Sequence, residues 1–485
     1  MNTPALPGPV LDRIPAVVIH RPRPRQHWPC PPSAFGGKSD SAIEPLRIVK
    51  VTHGYPPRFN AGTEVYSQTL CHQLARRGNS VWVFTREENP FAAEYAVRRE
   101  PDSSESQIEV TLVNMSRGRD GYRHSEVDAA FADLLERVCP DVVHVSHLNH
   151  LSTSLVAEAK HRGIPLVFTA HDFWPLCPRG QFIRMYSPDG EPWALCPTQR
   201  DADCARHCYR RYFGGATEDL AGDESYWTQW VARRMAHMRE VMAMFDIIIA
   251  PSHQLMAIYR RELPVADDRL VFLDYGFDCK LLSGRTRTFA EGGEFVFGYI
   301  GTHIPAKGVD LLIRTFAGLR GRCRLRIFGR YQEPNTRALK QLVNSLAQEI
   351  RERIEWREEY CNQEIVTRVF NHVDAIVVPS IWLENSPLVI HEAFQARVAV
   401  ITADAGGMAE FVRHEENGLL FRHRDAEDLG RQMQRFVDDP QQAARLAQRG
   451  YLDSPDGNVP DIGSHAEEVT AIYRRVINQS APCGR

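Results

Sequence analysis

Phe245-Asp246-Ile247-Ile248-Ile249-Ala250-Pro251-Ser252 is answered later in the chain by Val373-Asp374-Ala375-Ile376-Val377-Val378-Pro379-Ser380. Each stretch is an Asp, four apolar residues in a row, a Pro and a Ser. Four consecutive apolar side chains leave a strand without a polar face. Both faces must then be covered, as in a parallel sheet with helices on each side. Proline stops the strand, and serine suits the cap of a following helix. The same punctuation used twice implies two domains built on one plan.

The surroundings of both stretches agree. In the first half, 46–51, 81–84, 142–145 and 166–168 read as buried strands, with helical patterns at 64–77, 126–138 and 151–161. The order restarts with strand-like runs at 295–300, 324–328, 354–356, 375–378 and 398–401. Alternating strands and helices give parallel sheets wrapped on both faces. The expected domains are 45–285 and 286–460, parted by the glycine-rich break near 280–292. A last helical stretch at 465–477, within 461–485, is expected to pack back across the two lobes. Residues 1–44, with Arg21-Pro22-Arg23-Pro24-Arg25, bury too little apolar surface to offset their ordering entropy and read as a disordered extension.

The totals exclude other classes. The chain has 485 residues and a formal net charge of -3, so no global excess of positive charge points to nucleic acid. No apolar run approaches the roughly 20 residues that span a bilayer. The N-terminus lacks the apolar core of a secretory leader. A cytoplasmic location is expected, with contact at the cytoplasmic membrane face left open.

The chemistry concentrates in Pro379-Ser380-Ile381-Trp382-Leu383-Glu384-Asn385-Ser386-Pro387-Leu388-Val389-Ile390-His391-Glu392-Ala393. Asn385-Ser386-Pro387 reads as a helix start, with Ser386 as cap and Pro387 in the first turn. Glu384 then lies in the loop before the helix and Glu392 about two turns along it. One carboxylate can meet sugar hydroxyls while the other reaches a ribose, and the free amides of the helix start can hold phosphate. This string, continued by Asp404-Ala405-Gly406-Gly407-Met408-Ala409-Glu410 and Asn417-Gly418-Leu419-Leu420, resembles glycosyltransferase family 4. The resemblance covers roughly residues 46–478. It implies the GT-B fold, two facing doubly wound Rossmann-like α/β domains with a cleft between them. It also implies transfer of a sugar from a nucleoside diphosphate sugar (a UDP- or GDP-sugar) to a glycan or lipid-linked acceptor hydroxyl, with retained anomeric configuration and no cofactor needed for catalysis. Bacterial surface polysaccharide is the family-level expectation for the product.

The resemblance assigns further residues. Gly301 ends a strand and Lys307-Gly308 opens a helix, where the lysine charge adds to the helix dipole for a diphosphate. The family carries Arg where this chain has Thr302, which leaves Lys307, backbone amides and His303 for that task. Asn385, Ser386, Pro387, Leu388 and Glu392 complete the expected donor site. Gly62 stands at the opening of the first domain's first helix, within Asn60-Ala61-Gly62-Thr63-Glu64, where backbone can approach the donor. His171 and Asp172 end a buried strand, where ligands sit in open α/β sheets. The resemblance places His171 against the reacting sugar from the acceptor lobe, with Asp172 orienting it or contacting the acceptor. His171, Asp172, Glu384 and Lys307 are the expected catalytic set.

Cys177, Cys196, Cys204 and Cys208 fall in an insertion at 175–215 and could hold a structural zinc, remain free thiols or pair as disulfides. Asp201-Ala202-Asp203 mimics a metal-binding pair by chance. The stretch 227–245 reads as a core helix with a solvated basic edge of Arg233, Arg234 and Arg239, against the alternative of a membrane-surface helix. Two other functions stay open: a nucleotide-sugar-binding protein without turnover, and an NAD enzyme, which lacks its glycine fingerprint.

Overall fold

The structure, a computed structural model, describes residues 44–116, 121–186, 193–213, 220–288 and 293–480. The Pro- and Arg-rich extension, up to residue 43, lies outside them.

The first sheet has eight strands: β1 (Arg47–Val51), β2 (Ser80–Glu87), β3 (Val97–Pro101), β4 (Glu109–Asn114), β5 (Val142–Val145), β6 (Leu166–Thr169), β7 (Ile247–Ala250) and β8 (Leu270–Phe272). Their order is β3-β4-β2-β1-β5-β6-β7-β8, parallel except for the edge pair β3–β4. The second sheet has six: β9 (Phe295–Ile300), β10 (Cys323–Phe328), β11 (Ile354–Trp356), β12 (Ala375–Val378), β13 (Ala399–Ala403) and β14 (Leu419–Phe421). Their order is β11-β10-β9-β12-β13-β14, parallel throughout. In each sheet the chain starts at the centre, builds to one edge, then returns to build the other. The reversal falls between β1 and β5 and between β9 and β12. At such a point the loops leaving the strand ends diverge and open a crevice.

The Asp of the repeated stretch does one job in both sheets. Asp246 Oδ2 accepts the backbone N–H of Leu166, at the start of β6, at 2.8 Å. Asp374 Oδ2 accepts that of Val296 in β9, also at 2.8 Å. Asp141, just before β5, does the same for Arg47 of β1 at 2.8 Å. Each carboxylate thus ties the start of the neighbouring strand, and a cation balances it: Lys160, Arg287 and Arg47 respectively. The Ser diverges. Ser252 caps the helix His253–Glu262, accepting the N–H of Leu255 at 3.1 Å. Ser380 caps no helix; its hydroxyl donates to Glu384.

Side chains alternate across β1. Ile48 packs with Leu70 and Leu74 of the helix Gly62–Arg76 and with Val469 and Val476 of the helix Ile462–Ser480. Val49 and Val51 pack on the other face with Phe131 and Leu135 of the helix Ser125–Val138. Fully burying each such side chain contributes about 1.5–3 kcal/mol. The helix Ile462–Ser480, last in sequence, is therefore built into the first domain. Phe277 N–H donates to Pro460 O and Ile462 N–H to Phe277 O, both at 2.9 Å, so the two crossings between domains run side by side. Tyr66 OH lies 2.9 Å from His465 Nε2, and Arg77 pairs with Glu467 at 2.8 Å.

The stretch expected as a core helix with a basic edge is the helix Leu220–Met244, which buries Val231, Met235, Met238, Val241 and Met242. Its basic edge is narrower than expected. Arg233 and Arg239 are exposed, but Arg234 is buried, its guanidinium 4.7 Å from the Trp174 ring centroid and donating to Trp174 O at 2.9 Å. A carbonyl and a ring face solvate this cation where water cannot. Among the described residues no helix is long and apolar enough to cross a membrane.

Candidate active site

The crevice of the second domain opens where β9 and β12 end. β9 leads through Gly301-Thr302-His303 to the turn Pro305–Lys307, whose last bond partner is Gly308. Gly308 has φ +65°, and a Cβ there would lie 2.0 Å from the carbonyl oxygen of Pro379. Only glycine lets this turn dock on the end of β12. The docking brings Lys307 Nζ to 2.7 Å from Glu384 Oε1, which also accepts the Ser380 hydroxyl at 2.6 Å. Glu384 is buried and Lys307 part-exposed. From the far side, Gly407 N–H donates to Glu384 O at 2.7 Å, and a Cβ on Gly407 would stand 1.3 Å from Asn385 O. The Gly406-Gly407 loop thus clamps the backbone of the Glu384 loop.

The helix after this loop starts later than its sequence suggests. It is Leu388–Gln395, with Pro387 at its N-cap in an extended conformation and no side-chain cap. Ser386 is drawn off instead to donate to Asp274 Oδ1 at 3.3 Å. Glu392 is therefore about one turn along, buried, and lines a cavity of about 40 Å³ with Tyr66, Phe277, Asp278, Asn362 and Leu388. Burial pushes its carboxyl up to about 7, against the pull of neighbouring His391.

Asn385 and Ser386 are spent on holding the domains together. Asn385 Oδ1 accepts from Ser252 Oγ at 2.8 Å, and its amide reaches Ala170 O at 3.3 Å. Asp274, the partner of Ser386, also meets His391 Nε2 at 3.0 Å and the Tyr451 hydroxyl at 2.9 Å. Glu410 extends this contact, its carboxylate accepting the N–H groups of His253 and Gln254 at 2.7 and 3.1 Å. Gly62 and Leu388 meet across the cleft: a Cβ on Gly62 would lie 3.2 Å from Leu388 Cδ1. His303 is withdrawn from the cleft. It is fully buried, 3.2 Å from the Thr336 hydroxyl and packed against Tyr331 and Trp356, and burial with the charge of Lys340 lowers it to about 4. Lys307 is then the charged side chain that this loop turns toward Glu384.

The first domain presents three strand ends to the same cleft. After β6, His171 Nδ1 meets the Tyr275 hydroxyl at 2.7 Å, its ring stacks on Tyr275, and its buried Nε2 has no partner among the described residues. Burial, with the charges of Lys50 and His147, holds this imidazole well below its usual range, so it is neutral. Asp172 Oδ1 accepts the N–H of Trp174 at 2.8 Å and Oδ2 faces His147 Nε2 at 3.2 Å. After β1, His53 Nε2 lies 3.4 Å from Glu64 Oε1 and its ring centroid 4.3 Å from that of His147, which follows β5. Burial raises the Glu64 carboxyl above its usual value.

Burial, and next the neighbouring Cys177, raise the thiols of Cys196, Cys204 and Cys208 in the insertion. They are free, and among the described residues no three His, Cys, Asp or Glu side chains are grouped to hold a metal ion.

Comparison with known proteins covers both halves. Residues 60–281 match the family model of Glycosyltransferase Family 4, and residues 285–453 that of Glycosyl transferases group 1. Each half of the chain thus resembles a glycosyl transferase domain of a different model. A D-inositol 3-phosphate glycosyltransferase of Stackebrandtia nassauensis is 28% identical over 240 residues, 45% of this chain and 52% of the relative. The chain thus spans about half the length of that curated relative. Two solved structures align over most of the chain. Sucrose-phosphate synthase from Thermosynechococcus elongatus has a TM-score of 0.63 at 16% identity, covering 89% of this chain and 99% of that one. HepE of Anabaena, in complex with UDP and glucose, has a TM-score of 0.60 at 15% identity, covering 88% and 99%. The fold is GT-B, two Rossmann-like domains facing across a cleft.

The string around Glu384 was legible as a motif, whereas the placing of His53, Glu64, His147, Ser380 and Asp274 around the cleft was not. The signal that finds His53 and His147 is topological: they follow the two strands that flank the first sheet's switch point.

Proposed function

We propose that the chain is a retaining glycosyltransferase. It moves a sugar from a UDP- or GDP-sugar to a hydroxyl of a glycan or lipid-linked acceptor, in the synthesis of a surface polysaccharide or related glycan. The observation that carries this reading is the Lys307–Glu384 pair, 2.7 Å apart at the β9–β12 switch point, with Glu392 buried on the next helix. Lys307 supplies the positive charge for the diphosphate, and the negative charge that grows on the leaving group is met by a fixed ammonium and by helix-start amides. Glu384, held by Ser380 and the Gly407 amide, binds sugar hydroxyls. Glu392 lies in the small cavity shared by both domains and takes the ribose. Gly62 brings backbone amides to the cleft from the first domain. His171 offers its unpartnered Nε2 to the sugar, and Asp172 faces the acceptor. The HepE complex with UDP and glucose supports a uridine donor through the shared fold.

The test is thermal stability against UDP, GDP, ADP, NAD and common nucleotide sugars. A ligand at 100 times its Kd stabilises the fold by about 2.7 kcal/mol, a readable shift. One nucleotide sugar should raise the midpoint and Glu392→Ala should abolish the rise. A shift by NAD alone, or by none of the nucleotides on folded protein, refutes the reading. Donor binding without transfer would leave a nucleotide-sugar-binding protein without turnover.

A further inference from the structure

We propose that the crevice at the β1–β5 switch point is an acceptor subsite for a neutral, hydroxyl-rich ligand, in which His147 positions Asp172; this rests on the transferase reading above. The geometry fixes His147 first. The backbone N–H of Asn149 donates to His147 Nδ1 at 3.0 Å. That nitrogen must therefore carry a lone pair, so the proton sits on Nε2. Nε2–H points at Asp172 Oδ2, 3.2 Å away, while the Trp174 N–H holds Oδ1 at 2.8 Å. One donor on each oxygen fixes the plane of the carboxylate and leaves each oxygen a free lone pair. His147 is buried and packed between the rings of His53 and Trp174, so it has no room to swing away. Asp172 keeps 29% of its side chain exposed. A buried residue therefore aims an accessible carboxylate.

The groups around this point select the ligand. Glu64, from the start of the helix Gly62–Arg76, brings a second carboxyl beside His53, whose Nδ1 is buried without a partner. A fixed carboxylate reads hydroxyls, since each sugar O–H can donate to it, and an imidazole can give or take one bond more. A phosphorylated or carboxylated ligand would meet the fixed carboxylate of Asp172 with like charge. Three basic side chains near this point already have partners. Arg86 donates to His53 O and pairs with Glu88, Arg330 pairs with Glu359, and Lys50 is buried against His144. The switch-point position adds an independent reason, because this crevice is where an open parallel sheet accommodates a ligand.

The test uses the full chain, the nucleotide sugar that stabilises it, and matched acceptor probes: neutral alkyl glycosides and their 6-phosphates. Transfer should favour the neutral members by about 100-fold. His147→Ala should raise acceptor KM about tenfold, the loss of one hydrogen bond to a charged group, with kcat changed less. His147→Gln, whose amide N–H can reach the same oxygen, should recover most of that loss, which a merely structural role for the ring would not permit. Melting of each variant, followed by circular dichroism, keeps misfolding apart from loss of function. A preference for the phosphorylated members, or a His147→Ala acceptor KM within twofold of wild type, overturns the proposal and leaves the transferase reading intact. Donor binding with transfer to no probe and no donor hydrolysis overturns both.

Discussion

Lys50 offers the sharpest physical test of the first domain. It sits in the middle of β1, fully buried, with Nζ 3.2 Å from His144 Nδ1 and 5.6 Å from the Tyr66 ring centroid. Among the described residues no carboxylate pairs with it; His144 is itself held by the Tyr473 hydroxyl at 2.7 Å and the Thr169 hydroxyl at 2.7 Å. Burial pushes the amine down to about 7, with only Cys71 pulling the other way. In the unfolded chain it returns to about 10.4. Between those values the folded state holds a neutral amine and the unfolded state an ammonium, so unfolding takes up a proton. Stability then rises with pH across this window, by up to about 1.4 kcal/mol per pH unit, and the gain is lost as pH falls toward 7. Lys50→Met has a similar length and no titrating group. Urea unfolding of wild type and Lys50→Met, followed by tryptophan fluorescence at pH 7, 8 and 9, should give a difference in stability that shifts toward wild type by about 2 kcal/mol across the series. Parallel curves, with the difference constant over that range, would show that Lys50 titrates as an ordinary lysine and would refute the reasoning.

Two further outcomes follow from the donor side. Gly407→Ala places a Cβ 1.3 Å from Asn385 O, so the loop carrying Glu384 must move; the variant should lose about 1–3 kcal/mol of stability together with the midpoint rise that a nucleotide sugar gives to wild type, both read from melting curves with and without ligand. Glu392, pushed up to about 7 by burial against the influence of His391, is largely protonated below that pH and, on the proposed reading, a weaker acceptor for ribose hydroxyls. Donor Kd measured by calorimetry should therefore improve from pH 6 to pH 8, by at most about tenfold per unit below 7, and Glu392→Gln should flatten the profile.

The parts of the fold legible in the sequence were those that repeat with a period. The apolar runs at β7 and β12 declared themselves because four apolar side chains in a row, bounded by Asp and Pro, suit a strand covered on both faces. β3 did not, because Val97-Arg98-Arg99-Glu100-Pro101 is an edge strand with charged residues on it, a pattern that reads as loop. The motif around Glu384 was legible as chemistry, but the fates of Asn385, Ser386 and His303 were not. Each depends on what lies across a domain boundary or in a packed pocket: Ser252 and Ala170 for Asn385, Asp274 for Ser386, Tyr331 and Trp356 for His303. Local sequence carries no record of those partners. Arg234 failed for the same reason, since its burial depends on Trp174, 60 positions away along the chain.

The repeated stretch shows how one plan comes to hold two roles. Asp246 and Asp374 still tie a neighbouring strand by the same backbone hydrogen bond, which holds adjacent parallel strands in register in both sheets. The serines that follow have parted. In the first domain Ser252 keeps the helix cap and adds a bond to Asn385, so its hydroxyl serves the domain contact. In the second, the helix start has moved from Ser380 to Leu388, and the chain between them forms the Glu384 loop. Freed from capping, Ser380 orients a carboxylate instead. Delaying the helix is thus what creates room for the Glu384 loop, and Asn385, within the delayed segment, is what the first domain grips. Contact between the domains and the shape of the candidate donor site are set by the same few residues, so a change that loosens one must disturb the other.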